Sequence, residues 1–483
     1  MTQGQLQLSA VMFFIFLLLA HSFITRHVFS LKDSSAVTGR SSLIAFITGL
    51  TVIVFTCIAT LVVFDVCCKK NEDFFEGVAI FASIISEDMH GFISIRAYAV
   101  CGISTLLLLI CLTALYYCTH FSKDRLDAFV FYMTSVFYSG VMFVFVESAV
   151  AMFIAYEFLL IPTTLMIDGF AKTSRGVEAA RFMLIWTQVG ALTLFPLLIY
   201  STGVAMGFNI VTCAHNFTQM QKNVIMFLAF FGFGAKMPVW PFYWWLPEAH
   251  VEVTTAFSIV LSGVSVKFAF LGFMRFVGIF GVSDLYWLFT LVALVGLCDA
   301  ALKMGSESDI KKIVAYQTVA EMHLLIIFTL VDYSSFGSFV MYMFATHCWT
   351  ATLLFILVDM ISKRYNSRNI EHLYGIFAGS PRIVHFVYYT VFIGSSIPGT
   401  AIFGIEYFAA SLSTATVFNS VFIILFHTLL VIYSKNIWWF VFGGDGLYTA
   451  QSRSFTFTRS EALFIFIIML QLIPTVGIFD IVL

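Results

Sequence analysis

The sequence predicts an all-α membrane protein, a polytopic bundle of about fourteen transmembrane helices. Of its 483 residues, 60% are hydrophobic and only 11% are charged, whereas a soluble domain carries about 25% charged residues. Apolar stretches long enough to cross a bilayer, roughly 20 residues each, fill most of the chain. They lack the strict alternation of a β-strand, and lipid admits only helices or closed barrels, so helices are expected throughout.

Hydropathy gives the predicted spans in order along the chain. They lie near 9–29, 42–66, 93–118, 127–146, 148–168, 180–202, 223–245, 254–277, 283–303, 311–331, 336–361, 382–412, 415–435 and 461–482. The segments between them are too short to hold a sizeable water-soluble domain.

The distribution of Lys and Arg over the loops predicts the orientation of the chain. Basic clusters occur in the odd-numbered loops, such as Lys172, Arg175 and Arg181 in the fifth and Lys303, Lys311 and Lys312 in the ninth. The even-numbered loops hold few basic residues. Because Lys and Arg concentrate on the cytoplasmic or matrix side, we expect the odd-numbered loops there and both termini on the opposite side.

Several ionisable residues fall inside the predicted spans, where each costs roughly 2.5–3.5 kcal/mol on insertion scales. They are Glu157, Lys236, Lys267, Glu321, His323, His347 and Glu406. The alternative to a functional role is a structural ion pair or a side chain that reaches the interface. Glu157 lies about 14 Å deep at 1.5 Å per residue, and its side chain is too short to reach the interface. Such residues therefore predict an ion or proton pathway.

Two predicted spans are interrupted by Pro or Gly beside a buried charge. The seventh reads GFGAKMPVWPFYWWLPEAH around Lys236, and the twelfth reads GSSIPGTAIFGIEYF before Glu406. Interrupted helices at corresponding positions of two halves indicate an internally repeated transporter. If spans four to eight repeat as nine to thirteen, the seventh pairs with the twelfth and Glu157 with Glu321.

A buried Glu beside a buried Lys can work as a proton switch. While the two are close, each stabilises the charge of the other, and separating them favours the neutral forms. Lys236 could then release a proton and take one back. Further polar side chains could hold linking waters: Thr187, Gln188, Ser262, Ser265, Thr350 and Thr352.

Five motifs carry a resemblance to a known family. The run FGFGAKMPVWPFYWWLPEAHVEVTTAFSIVLSGVSVKFAFLGFMRF (231–276) is similar to the signature of the proton-translocating NADH dehydrogenase subunits related to Na⁺/H⁺ antiporters. Its form LPEAHVE resembles subunit 4, the bacterial M-type, rather than subunits 2 or 5. Shorter runs occur in the order of that family: YEFLLIPTTLMI (156–167), SDIKKIVAYQTVAEMHLL (308–325), ATHCWTATLLF (345–355) and IPGTAIFGIEYF (397–408).

The resemblance assigns a role to each buried charge. Glu157 matches the essential glutamate of the family, and Lys236 matches its central lysine. Lys267 matches the connecting lysine of the eighth span. His347 matches the histidine of the eleventh span, and Glu406 the terminal acidic residue toward the next subunit.

The tenth span departs from the family pattern. The family usually has a His where this chain has Glu321, and a small residue where it has His323. Two alternatives stay open. Either the His has moved two positions, about 200° round the helix, or a carboxylate serves the relay here.

The resemblance also implies an organisation and a location. Together with the hydropathy it predicts three N-terminal helices (1–126), two inverted antiporter-like halves (127–277 and 283–435), and a loop with a last span (436–483). It places the chain in the membrane arm of respiratory complex I, beside other antiporter-like subunits and lipid, in the mitochondrial inner membrane. Both termini then face the intermembrane space. This chain is expected to bind no cofactor, because NADH, FMN, iron–sulfur clusters and ubiquinone belong to partner subunits.

The sequence leaves room for other functions. The main alternative is a subunit of a multi-subunit Na⁺/H⁺ antiporter, which would exchange ions without NADH or quinone. Haem binding needs His pairs that face each other, and the candidates His372 and His385 are separated by Pro381, the first of them in a loop. Neither a nucleic-acid partner nor a purely structural role is expected of a chain with so many mid-membrane charges.

Overall fold

The computed structural model describes residues 106–122, 126–146, 149–202, 217–281, 284–331, 333–373, 458–466 and 468. Within these ranges the regular structure is helical, apart from one isolated bridge between Asp309 and Asn369. Five of the described helices are long and apolar enough to cross a membrane: Ala149–Phe170, Thr255–Phe280, Tyr286–Ser306, Ile310–Leu330 and Met343–Tyr365. The prediction of an all-α membrane bundle is confirmed for this part of the chain.

The described helices follow the predicted spans, with ends that differ by a few residues. In chain order they are α1 (Leu106–Phe121), α2 (Leu126–Phe145), α3 (Ala149–Phe170), α4 (Ser174–Thr202), α5 (Gln219–Gly234), α6 (Trp245–Glu252), α7 (Thr255–Phe280), α8 (Tyr286–Ser306), α9 (Ile310–Val331) and α10 (Tyr333–Tyr365). The chain divides into two compact units, Met1–Phe289 and Thr290–Leu483.

The predicted break in the seventh span is confirmed. A capping box of Thr218 and Gln221 starts α5, which ends at Gly234. A 3₁₀ turn and the short helix α6 follow. The indole Nε1 of Trp245 donates to the carbonyl oxygen of Ala235 at 2.8 Å, so one backbone group freed by the break is satisfied inside the protein. Lys236 therefore lies in irregular backbone that is buried by protein, as membrane proteins require.

Helix α7 is buried from Thr255 to Val277 and contains an unpredicted π-helical turn, Leu261–Ser265. It packs closely on α2 through two reciprocal contacts. A Cβ atom on Gly140 would lie 2.0 Å from the ring of Phe268, and one on Gly272 would lie 2.3 Å from the ring of Phe143. Each glycine therefore receives an aromatic ring from the other helix.

A second close approach joins α4 to α5. A Cβ atom on Gly190 would lie 2.2 Å from the Cα of Gly232. Because the atom in the way is backbone, neither helix can yield by turning a side chain. The two backbones meet at this glycine pair.

Arg275 fixes the C-terminal end of α2. Its Nη1 donates to the carbonyl oxygens of Val144, at 2.8 Å, and Val146, at 2.5 Å. The last carbonyl groups of a helix have no hydrogen-bond donor within the helix. Arg275, which is itself buried, supplies such a donor.

Replacing Arg275 by Met should destabilise the first unit. The substitution keeps a long apolar side chain but leaves one buried and one partly buried carbonyl oxygen without this donor. A buried group without a partner costs about 1–3 kcal/mol. The expected result is loss of assembled protein at a lower temperature, measured by heating membranes before native electrophoresis. Arg175→Met, in the exposed first turn of α4, is the matched control and should behave as the unchanged protein. Equal thermal stability of the two variants would contradict this role of Arg275.

In the second unit, α9 packs against α10. The start of α9 is tied to the segment after α10, because Ile310 N donates to Arg368 O at 3.0 Å and Ile370 N donates to Ser308 O at 2.9 Å. Arg364 near the end of α10 forms an ion pair with Glu461. These contacts hold the ends of the two helices that carry Glu321, His323 and His347.

Candidate proton-transfer site

Lys236 is fully buried just beyond the end of α5. Its Nζ donates to two oxygens of α3, the carbonyl of Leu159 at 3.0 Å and the hydroxyl of Thr163 at 3.2 Å. The break after α5 and its proline-rich continuation thus aim a lysine side chain at the middle of a neighbouring helix. The amine has hydrogen-bond partners there in both its charged and its neutral form.

Glu157 lies on the same helix α3 but has a different partner. The side-chain amide of Gln188, on α4, donates to its Oε2 at 2.5 Å. Its Oε1 is buried, and no donor in the part of the chain that the structure describes reaches it. Glu157 and Thr163 are six residues apart, which places them about 120° apart around the helix.

Glu157 is therefore part of α3, and Lys236 contacts the same helix from the break after α5. The two side chains have different hydrogen-bond partners. Within the described residues, neither the hydrogen bonds nor the ion pairs of Lys236 include Glu157. Sequence reasoning named the two residues but not Gln188 as the donor to Glu157. It also missed Thr163, although it named other threonines of the apolar helices, because the sequence does not show which of them faces Lys236.

An aromatic cluster lies beside the acidic residue. The ring of Tyr156 lies 5.2 Å from that of Phe143, 5.7 Å from that of Phe195 and 5.6 Å from that of Phe233. Its hydroxyl donates to the carbonyl oxygen of Gly232 at 3.3 Å. The cluster joins α2, α3, α4 and α5 and supplies an apolar wall next to Glu157.

Lys267 is fully buried in α7. It follows Ser265, the last residue of the π turn, by two positions. The Ser265 hydroxyl lies 3.1 Å from the hydroxyl of Thr163, which in turn contacts Lys236. The first unit therefore holds both predicted lysines, with hydroxyl groups between the two helices.

The second unit holds the other described candidates. Glu321 and His323 are buried on α9, and His347 is buried on α10. The Nδ1 of His323 lies 2.7 Å from the carbonyl oxygen of Val319. Because a carbonyl oxygen only accepts, Nδ1 carries the hydrogen in this contact. The two alternatives for the tenth span, a displaced His323 or a relay that uses the Glu321 carboxylate, both stay predictions from the sequence. Glu406 and the predicted break near Pro398 lie outside the described residues.

Glu252, in the motif that carries the resemblance, has a positioning role. Its carboxylate accepts from the backbone N–H groups of Lys172, at 2.6 Å, and Thr173, at 3.1 Å, and from the Thr173 hydroxyl at 2.8 Å. These donors immediately precede α4. A carboxylate at a helix N-terminus is electrostatically favourable, so Glu252 ties the start of α4 to the end of α6.

The described residues hold no candidate metal centre. Across the described ranges, no group of three or more His, Cys, Asp or Glu side chains is arranged to hold a metal ion.

Comparison with known proteins matches residues 146–433 to the family described as NADH:quinone oxidoreductase/Mrp antiporter, transmembrane. Chain 4 of NADH-ubiquinone oxidoreductase from Paramecium tetraurelia is 32% identical over 69% of this chain and 70% of its own length. The chain 4 protein of Arabidopsis thaliana is 29% identical over 52% of each chain. The second match spans only about half of the relative.

Two solved structures share the fold. A chain of the Mrp complex from Dietzia sp. DQ12-45-1b has a TM-score of 0.61 at 18% identity, over 71% of this chain and 66% of the other. A chain of the membrane-bound sulfane sulfur reductase, an archaeal respiratory membrane complex, has a TM-score of 0.72 at 14% identity. The match covers 99% of this chain and 96% of the other.

The chain belongs to the NADH:quinone oxidoreductase/Mrp antiporter family of transmembrane subunits. Within that family it is similar to chain 4 of NADH-ubiquinone oxidoreductase, as the motifs predicted. All seven candidate residues fall inside the matched range.

Proposed function

We propose that this chain translocates protons as a membrane-arm subunit of respiratory complex I, the H⁺-translocating NADH:ubiquinone reductase. NADH oxidation and ubiquinone reduction take place in other subunits, which hold the NADH, FMN, iron–sulfur and ubiquinone sites. The observation that carries the proposal is the fully buried Lys236 in a helix break, whose amine donates to the helix that carries Glu157. A lysine in that place is costly, and such residues generally mark ion or proton pathways.

The proton switch is the distance between Glu157 and Lys236. The structure corresponds to the arrangement in which the two are separated. Glu157 is bonded to Gln188, and Lys236 is bonded to Leu159 and Thr163. When Lys236 swings to Glu157, the carboxylate stabilises its protonated form. When it swings back, that stabilisation is lost and the amine can pass its proton on.

The remaining groups extend the path along the chain. Lys267 is the next site in the first unit, and Glu321, His323 and His347 act in the second, followed by Glu406. The full chain has about fourteen spans, with two inverted antiporter-like repeats at 127–277 and 283–435.

Partners are other membrane-arm subunits, above all antiporter-like neighbours, together with lipid. Helix α4 exposes an apolar stripe of Ile185, Val189 and Leu192, which suits either contact. The location is the mitochondrial inner membrane, with both termini on the intermembrane-space side.

The test is a native gel of membranes solubilised in mild detergent, stained for NADH dehydrogenase activity. The chain is located by mass spectrometry. Migration with the large NADH-oxidising band and its flavin subunits is expected. Migration in a smaller assembly without that activity would instead support a multi-subunit Na⁺/H⁺ antiporter, and sodium-dependent proton exchange in vesicles would then be measured.

A further inference from the structure

Two hydroxyl groups continue the polar contacts of Lys236 from one helix to the next. Thr163 on α3 and Ser265 on α7 are both fully buried. Their hydroxyl oxygens lie 3.1 Å apart, and the Nζ of Lys236 lies 3.2 Å from the Thr163 oxygen. The three atoms form an unbroken hydrogen-bonded line from the helix break to α7.

Thr163 differs from other threonines in these helices. Thr164 and Thr187 donate to the carbonyl four residues earlier, at 3.1 Å and 2.6 Å, which is the ordinary behaviour of threonine in a helix. Thr163 makes the same bond to Leu159, at 2.7 Å, but also contacts Lys236 and Ser265. A hydroxyl has one hydrogen and two lone pairs, so its hydrogen can point either to Leu159 or to Ser265.

We infer that Thr163 and Ser265 carry the proton of Lys236 across to α7. The inference rests on the proposed function and adds two residues to the relay. It assigns the observed position of Lys236 a purpose, because the amine contacts the hydroxyl line there.

The transfer is balanced at every atom. An N–H bond of the Lys236 ammonium breaks as an O–H bond forms on Thr163. The original Thr163 proton passes to Ser265, and the original Ser265 proton passes to a water molecule or to the neutral amine of Lys267. Lys236 ends as a neutral amine, and each hydroxyl again holds one proton. Rotation of both hydroxyls restores the starting arrangement.

The π turn suits this role of Ser265. Ser265 is its last residue, and Lys267 follows in the regular part of α7. A π turn holds one more residue than an α turn and occurs often at functional sites. It alters the direction in which Ser265 and the residues after it project.

Four substitutions in the assembled complex test the relay by the initial rate of proton pumping per assembled complex. Thr163→Val keeps the size and branching of the side chain and removes the hydroxyl, and Ser265→Ala removes the second hydroxyl without touching Lys236. The controls are Thr164→Val, which loses only a backbone contact, and Ser258→Ala, whose hydroxyl contacts the His250 carbonyl oxygen at 3.5 Å. The first two should slow pumping about tenfold or more, since a positioned proton-transfer group contributes about 10²–10⁴-fold.

Further measurements separate transfer from positioning. The double variant of Thr163→Val and Ser265→Ala should pump no more slowly than the slower single variant, because either change interrupts one line. Thr163→Ser should restore the rate. If Ser265→Ala pumps like Ser258→Ala, or Thr163→Val like Thr164→Val, the hydroxyl relay is refuted. In either case a pumping-deficient Lys236→Ala would leave the proposed function standing, whereas full pumping in that variant would refute the proposed function itself.

Discussion

Replacing Lys236 by Ala should abolish proton pumping, or reduce it about tenfold or more, while the complex still assembles. The substitution removes the amine that donates from the break after α5 to Leu159 and Thr163. Neighbouring helices keep their aromatic and glycine contacts, which involve other residues. The rate of proton uptake by vesicles, per assembled complex, is the measurement.

The matched control for this variant is Lys222→Ala. Lys222 lies in the first turn of the same helix α5 and is partly exposed. It should pump as the unchanged protein does. Full pumping by an assembled Lys236→Ala complex would show that Lys236 takes no part in the relay.

Replacing Gly190 by Ala should prevent most of the chain from being incorporated into the complex. The added Cβ would lie 2.2 Å from the Cα of Gly232, so α4 and α5 must separate. Overpacking of this kind costs about 1–3 kcal/mol or more. Separation would also pull Gln188 from Glu157 and Gly232 from Tyr156. The measurement is the amount of chain in the assembled band of a native gel.

Gly169→Ala is the control for that prediction. A Cβ on Gly169, in the last turn of α3, meets only the Tyr132 hydroxyl at 4.0 Å. Gly→Ala changes at compatible sites are neutral or stabilising, so assembly should be unaffected. Equal assembly of both variants would mean that the close approach of α4 and α5 is not required.

Much of the described fold could be predicted from composition and hydropathy. Helices long enough to cross lipid are visible as apolar runs. Pro238 and Pro241 predicted the break after α5. The π turn in α7 and the glycine contacts could not be predicted in the same way. They depend on which neighbour each residue meets, and the local sequence around Gly190 or Ser265 carries no such information.

The candidate site was predicted in part. Glu157 and Lys236 were found because a charge at mid-membrane depth is expensive and therefore conspicuous. Their hydrogen-bond partners were harder to predict, since polar side chains such as Gln188 and Thr163 are common in membrane helices. Arg275 is a further case, because nothing in the sequence shows that its guanidinium contacts the carbonyl groups of Val144 and Val146.

The most direct test of the account is the proton-pumping rate of a double variant, Glu157→Gln with Lys236→Ala, beside its two single variants. All three rates are taken per assembled complex, with Glu178→Gln, an exposed carboxylate on α4, as control. If the two residues act as one switch, each single variant loses pumping and the double variant loses no more than the worse of them. Two results would contradict the switch. One is that Glu157→Gln pumps like Glu178→Gln, and the other is that the double variant slows pumping by the product of the two single-variant factors.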